Sequence, residues 1–385
     1  MSLDEEILAL PCYEERHRDT AKRIQDWCAT NTALWDEPAG DEAHTGRAIQ
    51  RALGRDGWLA FLDADTESEV DLRSLCLIRE ALAYHDDLAD NAFAIQALAA
   101  RPILRYGTEQ QRRRYLPGIA AGELVSSFAL SEPDRGSDLA GLTVRADRVP
   151  GGYVLNGHKA WVANGTIAGL HCVVARTGEG PGPLGLTAFL VPAGTPGVRA
   201  EPIALLAPRS CAQLTFEDCR VADDAVLGRP GAGFVLAMDV LERFRMTVGA
   251  AAVGFARRAA VAALSRARTR PLGDGRLFDL PTIRAGLADI EIKLNAAALL
   301  VARAAWAADT GQRRFAHHSS IAKAHATEAA QEIVDATVQI FGAAGLVAGS
   351  VPERLYRQIR SLRIYEGTTE IQKSVIAAGL ARRPN

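Results

Sequence analysis

The chain has 385 residues, 48% hydrophobic, 23% charged and 6% aromatic, a balance outside the disordered and collagen-like classes and large enough for more than one buried core. Lysine and arginine number 44 against 46 aspartate and glutamate, a formal net charge of -2, so the basic excess that grips a phosphate backbone is missing and nucleic acid is not an expected partner. The six cysteines form no C-x-x-C pair, which reads as reduced thiols in a chain that needs no disulfide framework.

The acidic start Met1-Ser-Leu-Asp-Glu-Glu6 lacks the charged and apolar regions of a signal peptide, and no uninterrupted apolar run approaches the ~20 residues that cross a bilayer. The expectation is a cytoplasmic protein without a membrane partner.

From Leu3 to about Leu116 apolar residues recur at helical spacing, as in Leu75, Ile78, Leu82 and Ala92, Ile95, Leu98, Ala99. From about Val125 to Gly228 short β-rich runs alternate with glycine and proline: Gly152–Gly157, His171–Ala175, Leu186–Val191 and Gln213–Phe216. After Gly231-Ala-Gly233 the chain turns alanine-rich, and Ala250–Ala267, Ile283–Asp309 and Ala316–Gly342 each support a long amphipathic helix. Pro271 with Gly273, and Thr310 with Gly311, separate these helices. The predicted class is α+β: an N-terminal α-helical domain (1–124), a middle antiparallel β-barrel or sandwich domain (125–230) and a C-terminal four-helix bundle (231–385).

Several motifs carry little. Gly180-Pro-Gly182-Pro-Leu-Gly185 satisfies G-x-G-x-x-G in letter, but it holds two prolines and runs into a strand-like segment instead of opening a helix. His317, His318 and His325 lack a carboxylate or cysteine at ligand spacing, so no metal is assigned. Ser131, Ser137 and Ser210 have no G-x-S-x-G setting.

Two segments hold chemistry. In Phe128–Asp138, followed by Lys159–Gly165, a strand end with Ser131 leads into a Pro-Asp turn and a Gly-Ser pair, and Trp161 stands ready to cover a ring. A structural turn beside a buried tryptophan fits the same residues. In Ile364–Gln372, Glu366 sits beside a glycine in an apolar stretch, a setting where desolvation raises a carboxylate toward the working pH of a general base. A capping or salt-bridged glutamate at a helix start fits there as well.

Taken together and in order, these blocks resemble the acyl-CoA dehydrogenase family from about residue 80 to the end. The matching segments are Tyr106–Gln111 with Tyr115-Leu-Pro117, the Phe128–Asp138 turn, Asn156-Gly157, Trp161, Asn164-Gly165, Arg270, Gln339-Ile-Phe-Gly342 and Ile364–Thr368. The resemblance implies FAD, held by the middle and C-terminal domains with a neighbouring subunit contributing. It implies that Phe128, Leu130 and Ser131 lie along the flavin with Trp161 packed beside it. Arg270 would pair with the pyrophosphate of the partner subunit's FAD, Gln339 and Gly342 would approach the adenylate, and Thr368 and Glu370 would belong to the same neighbourhood. Substrate contacts would fall to Ser137 on the pantetheine and to Leu241, Arg245, Tyr365 and Gly367, with Asp90, Phe93 and Ala94 facing the acyl tail.

The implied reaction is α,β-desaturation of an acyl thioester, with Glu366 removing the α-proton and flavin N5 accepting the β-hydride. Electrons would pass to an electron-transfer flavoprotein, and the assembly would be a homotetramer built as a dimer of dimers. The alternative base position of some relatives falls here on Phe244, with Glu242 rotated away around the helix.

Departures bear on the substrate. Ala163 stands where the family usually has a hydroxyl that bonds flavin N5. Arg270 is followed by Pro271-Leu-Gly-Asp-Gly275, without the family's aromatic, and the loop Leu206–Ser210 is short. A carrier-protein-bound acyl group is therefore an alternative to acyl-CoA, and oxidase or monooxygenase chemistry an alternative to dehydrogenation.

Overall fold

The computed structural model describes residues 2–36, 41–63 and 70–381. In chain order a helical N-terminal part is followed by a β-rich middle and a helical C-terminal part. Its helices are α1 (Glu5–Leu8), α2 (Glu15–Thr30), α3 (Glu42–Arg55), α4 (Leu72–His85), α5 (Asp87–Tyr106) and α6 (Glu109–Ala120). Strands β1 (Ser126–Ala129), β2 (Arg145–Val149), β3 (Gly152–Ala163), β4 (Leu170–Arg176), β5 (Leu186–Pro192), β6 (Val198–Pro202), β7 (Cys211–Ala222) and β8 (Val226–Leu227) come next. Then follow α7 (Gly233–Thr269), the hairpin β9 (Pro271–Leu272) and β10 (Gly275–Arg276), and α8 (Pro281–Asp309), α9 (Phe315–Phe341), α10 (Val351–Ile359) and α11 (Thr369–Ala381). Gly180–Gly185 forms a short 3-10 turn into β5 and opens no helix.

Packing gathers the chain into two compact units that draw on distant segments: Met1–Thr32, Val70–Asp90 and Glu242–Asn385 form one, Ala33–Glu69 and Asn91–Leu241 the other. The division by sequence texture, in contrast, follows chain order.

In the second unit an eight-stranded sheet runs in the order β6-β7-β3-β2-β4-β5-β8, with β1 on β4. The antiparallel expectation needs one correction. β1 runs parallel to β4 along Ser126–Ala129, and β2 touches β4 in parallel at Arg145 and Arg176. Parallel neighbours need a long connection, and the β2–β3 hairpin supplies it between β1 and β4. The sheet core gathers Val173, Phe189, Val191, Leu214 and Phe216, all nearly inaccessible.

Buried Gln96 on α5 donates to the Ile119 and Leu124 carbonyls and accepts from Ser126 N and Oγ, which ties two helices to the start of β1. Helix α6 begins in a Thr108/Gln111 capping box, and the Gln111 amide continues to the Asp224 and Val226 carbonyls.

In the first unit the core is alanine-rich, with Ala250–Val253, Ala259, Ala304, Ala305, Ala322 and Ala326 close to fully buried. Small side chains let helices approach closely: a Cβ on Gly254 of α7 would lie 2.2 Å from the Glu80 carbonyl oxygen and 3.0 Å from Ala83 Cβ on α4. Pro281 opens α8, and Thr310 and Gly311 (φ +69°) close it. Helix α7 is, among the described residues, long and apolar enough to cross a bilayer, but 72% of its most apolar window is buried inside the protein, the setting of a core helix. All six cysteines are free, Cys12 half-buried and the other five buried.

Candidate active site

In the first unit Glu366 lies on the turn before α11. It has φ +55° and is followed by Gly367 at φ +92°. A left-handed glutamate is strained, a condition that persists only where the surroundings enforce it and that clusters at functional sites. Three side chains do so here by gripping the carbonyls of the pair. Gln372 donates to the Glu366 and Gly367 oxygens at 3.2 and 3.0 Å, Arg245 Nε reaches the Glu366 oxygen at 3.4 Å, and Lys323 Nζ holds the Gly367 oxygen at 2.7 Å. Thr368 Oγ1 caps the amide of Ile371, and Glu370 is exposed on the first turn of α11. Tyr365 is half-buried beside Glu366.

The Glu366 carboxylate is treated differently from its backbone. Its Oε2 is buried and, among the described residues, has no hydrogen-bond partner, and the same holds for Arg245 Nη1. Burial pushes the Glu366 pKa up, against the pull of Arg79, Lys323 and Arg245, with Asp90 adding to the rise. None of the three cations forms a hydrogen bond with this oxygen. Arg79 and Asp90, both 2% exposed, form a bidentate pair, with Arg79 Nη1 also on Thr247 Oγ1 at 2.8 Å. Asp90, expected to face an acyl tail, thus spends its carboxylate on Arg79. Glu366 is thus a half-buried residue whose enclosed Oε2 has no partner among the described residues and whose pKa is raised, a condition that suits a general base.

Elsewhere in this unit Arg270 follows the end of α7, and Gly342 ends α9 with φ +64°. A Cβ built on Gly342 would stand 3.6 Å from Arg270 Nη1, so two residues 72 positions apart by number meet. Gln339 is exposed on the last turn of α9. The residues after Arg270 close the β9–β10 hairpin, and Phe278 beyond it lies under Arg268, 5.9 Å from guanidinium to ring. Phe244 is buried on α7, as is Arg245.

In the second unit, β3 faces β7 with Ala160 and Trp161 opposite the single residue Gln213, a bulge between the Lys159–Leu214 and Val162–Ala212 pairs. Trp161 there takes φ +54° and is 53% exposed. An exposed tryptophan on a bulge offers an open ring face. Phe128 and Ser131 are half-buried, Leu130 buried, Ala163 half-buried at the end of β3, and Ser137 exposed in the turn. Leu241 is buried.

Lys159, fully buried, donates to the Leu130 carbonyl at 2.8 Å and to Glu132 Oε1 at 2.9 Å. Glu132 also accepts from Thr143 N and Oγ1 and from Val144 N, and Ala160 N donates to the Ser131 carbonyl. This network fastens the Leu130–Glu132 segment to the strand that carries Trp161. Sequence reasoning missed Lys159, Glu132, Lys323 and Gln372, whose partners are backbone carbonyls or distant side chains. Each alone reads in the sequence as a solvated polar residue, so no local signal marked them.

Two features suit a flavin nucleotide, each within its own unit: the open ring face of Trp161 in one, and in the other the Arg270 guanidinium beside Gly342 at positive φ.

The family models for the acyl-CoA dehydrogenase N-terminal, middle and C-terminal domains match residues 14–123, 127–219 and 231–381. The mitochondrial short-chain specific acyl-CoA dehydrogenase of Homo sapiens is 38% identical over 284 residues, 73% of this chain and 69% of that protein. Butyryl-CoA dehydrogenase from Megasphaera elsdenii superposes with a TM-score of 0.87 at 29% identity, covering 96% of this chain and 99% of the other. The prolyl acyl carrier protein oxidase AnaB gives 0.86 at 26% identity, covering 96% and 99%. The chain belongs to the acyl-CoA dehydrogenase family, as a FAD-dependent oxidoreductase acting on CH–CH groups.

Proposed function

We propose that the chain desaturates an acyl thioester, acyl-CoA before a carrier-protein-bound acyl group, with Glu366 as the base that removes the α-proton. The observation that carries this reading is the buried, unpartnered Glu366 oxygen on a left-handed turn. A thioester α-carbon is weakly acidic, so the base works best in a dry site where charge developing on the carbonyl oxygen meets fixed donors. The Glu366 N–H, without an acceptor among the described residues, is such a donor. FAD, when bound, supplies the acceptor for the β-hydride.

In this reading Phe128, Leu130, Ser131, Trp161 and Ala163 line the flavin. Arg270, Gln339 and Gly342 bind the nucleotide end of a partner subunit's FAD within a homotetramer, and Thr368 and Glu370 complete the cofactor contacts. Ser137, Leu241, Arg245, Tyr365 and Gly367 position the substrate. Electrons leave to an electron-transfer flavoprotein in the course of fatty acid metabolism. The six free thiols are consistent with a reducing compartment such as the cytoplasm.

A second reading, an oxidase acting on a carrier-bound substrate, draws on Ala163, which brings no hydroxyl, and on the likeness to AnaB.

The test is anaerobic bleaching of the bound flavin by short, branched and long acyl-CoAs, beside Glu366→Gln. Bleaching by one class that the substitution abolishes supports the proposal. A flavin that no acyl-CoA bleaches, but that a carrier-bound acyl group reduces and air rapidly reoxidises, supports the second reading.

A further inference from the structure

Lys323 lies inside α9 with none of its side chain exposed. Among the described residues its ammonium makes one hydrogen bond, to the Gly367 carbonyl at 2.7 Å. An ammonium carries three donors, and burying it with one acceptor is costly unless the charge itself has a use. The nearby carboxylates do not pair with it. Glu328 accepts from Thr369 Oγ1 at 2.6 Å and bridges to Arg363 at 2.7 Å, and Glu370 faces solvent. Among the described residues Lys323 forms no ion pair with Glu366 either, yet its charge is among those that hold the Glu366 pKa down against burial. The other cations there differ: Arg79 is matched by Asp90, and Arg245 reaches the loop only at 3.4 Å.

Building on the reading of Glu366 as the base, we propose that Lys323 is its positioning residue. Its ammonium anchors the left-handed Glu366–Gly367 turn through the Gly367 carbonyl and, by pointing at backbone instead of carboxylate, keeps Glu366 ionised without pairing it.

Burial lowers the Lys323 pKa to about 8, with Arg245 contributing, while Glu366, Glu328 and Glu370 oppose. Glu366 itself faces Arg79 on α4, Asp90 on α5, Arg245 on α7 and Lys323 on α9. As pH rises, Glu366 ionises and activity climbs. Above about 8 Lys323 loses its charge, the Glu366 pKa rises in turn, and the climb flattens.

The experiment uses the full-length, FAD-loaded protein and Lys323→Met, Lys323→Gln and Lys323→Arg. Two quantities are read against pH: kcat/KM with the acyl-CoA that bleaches the flavin, and the infrared band of the protonated Glu366 carboxyl, assigned by its loss in Glu366→Gln. Methionine and glutamine should move both acid midpoints up by about one unit, a tenfold change in ionised fraction, and arginine should leave them near wild type. Glutamine keeps a donor for Gly367, so its kcat at high pH should exceed that of methionine. Should methionine prevent folding, glutamine and arginine carry the comparison. An infrared midpoint unmoved in the neutral variants overturns the proposal. If Glu366→Gln retains turnover, the base assignment falls, while the infrared midpoint still tests the action of Lys323 on Glu366.

Discussion

Of the four residues other than glycine at positive φ among the described residues, Trp161, Asn164, Asp218 and Glu366, two carry a proposed role: Glu366 as the base and Trp161 beside the flavin. Trp161 is exposed, so Trp161→Ala should leave the unfolding free energy of the FAD-free protein within about 0.5 kcal/mol of wild type. The same change should weaken FAD binding roughly three- to tenfold, the loss of one aromatic stacking contact. Fluorescence titration of FAD into both proteins checks this, and equal affinities would take the ring out of the cofactor site. Glu366 was picked out by the family resemblance of Ile364–Thr368, since the local pattern of a carboxylate beside glycine fits a helix cap equally well. Lys323 was not, since its acceptor is a backbone carbonyl 44 residues away, and a carbonyl leaves no letter in a sequence. The Lys159–Glu132 pair hid for a similar reason: each residue alone reads as a solvated charge.

At the level of elements, helices were easier to read than strands. Alanine periodicity and the stops at Pro271 and Gly311 located α7, α8 and α9, while β4 and β5 announced themselves as continuous apolar runs. Strand β6 is almost wholly exposed at the sheet edge, and β2 alternates with arginines and an aspartate, so neither offered an apolar pattern. The parallel placement of β1 on β4 depends on connections no local signal encodes. Close approach of α7 to α4 rests on Gly254, where a methyl group would meet the Glu80 carbonyl at 2.2 Å. Gly254→Ala should therefore destabilise by about 1–3 kcal/mol despite alanine's better helix propensity. Calorimetry of the variant decides, and an unchanged or raised transition would show that the two helices separate without cost.

For the molecule as a whole, buried ionisable groups shape stability against pH. Burial and the neighbouring Asp87 raise Asp86 to about 6 from an ordinary 3.8. Its folded form thus binds a proton that the unfolded form has already lost, so its contribution is complete below about 4 and vanishes as pH rises through about 6. Asp86→Asn keeps a capping oxygen for Leu88 and Ala89 and should lose this dependence, gaining on wild type between pH 4.5 and 7 by roughly 2 kcal/mol, the part of the shift that falls in this window at 1.36 kcal/mol per pKa unit. Urea midpoints at the two pH values measure it, and a constant difference between the proteins would refute it. The buried thiols have a separate use. Cys28 and Cys76 lie in one compact unit, Cys172, Cys211 and Cys219 in the other, and burial pushes Cys28 and Cys172 to about 12 and Cys211 and Cys219 to about 11. A thiol-reactive probe at neutral pH therefore finds at most Cys12 in the native protein. Each later label, located by peptide mass, times the opening of the unit that holds it, so the unmodified sequence carries its own record of which half yields first under heat or denaturant.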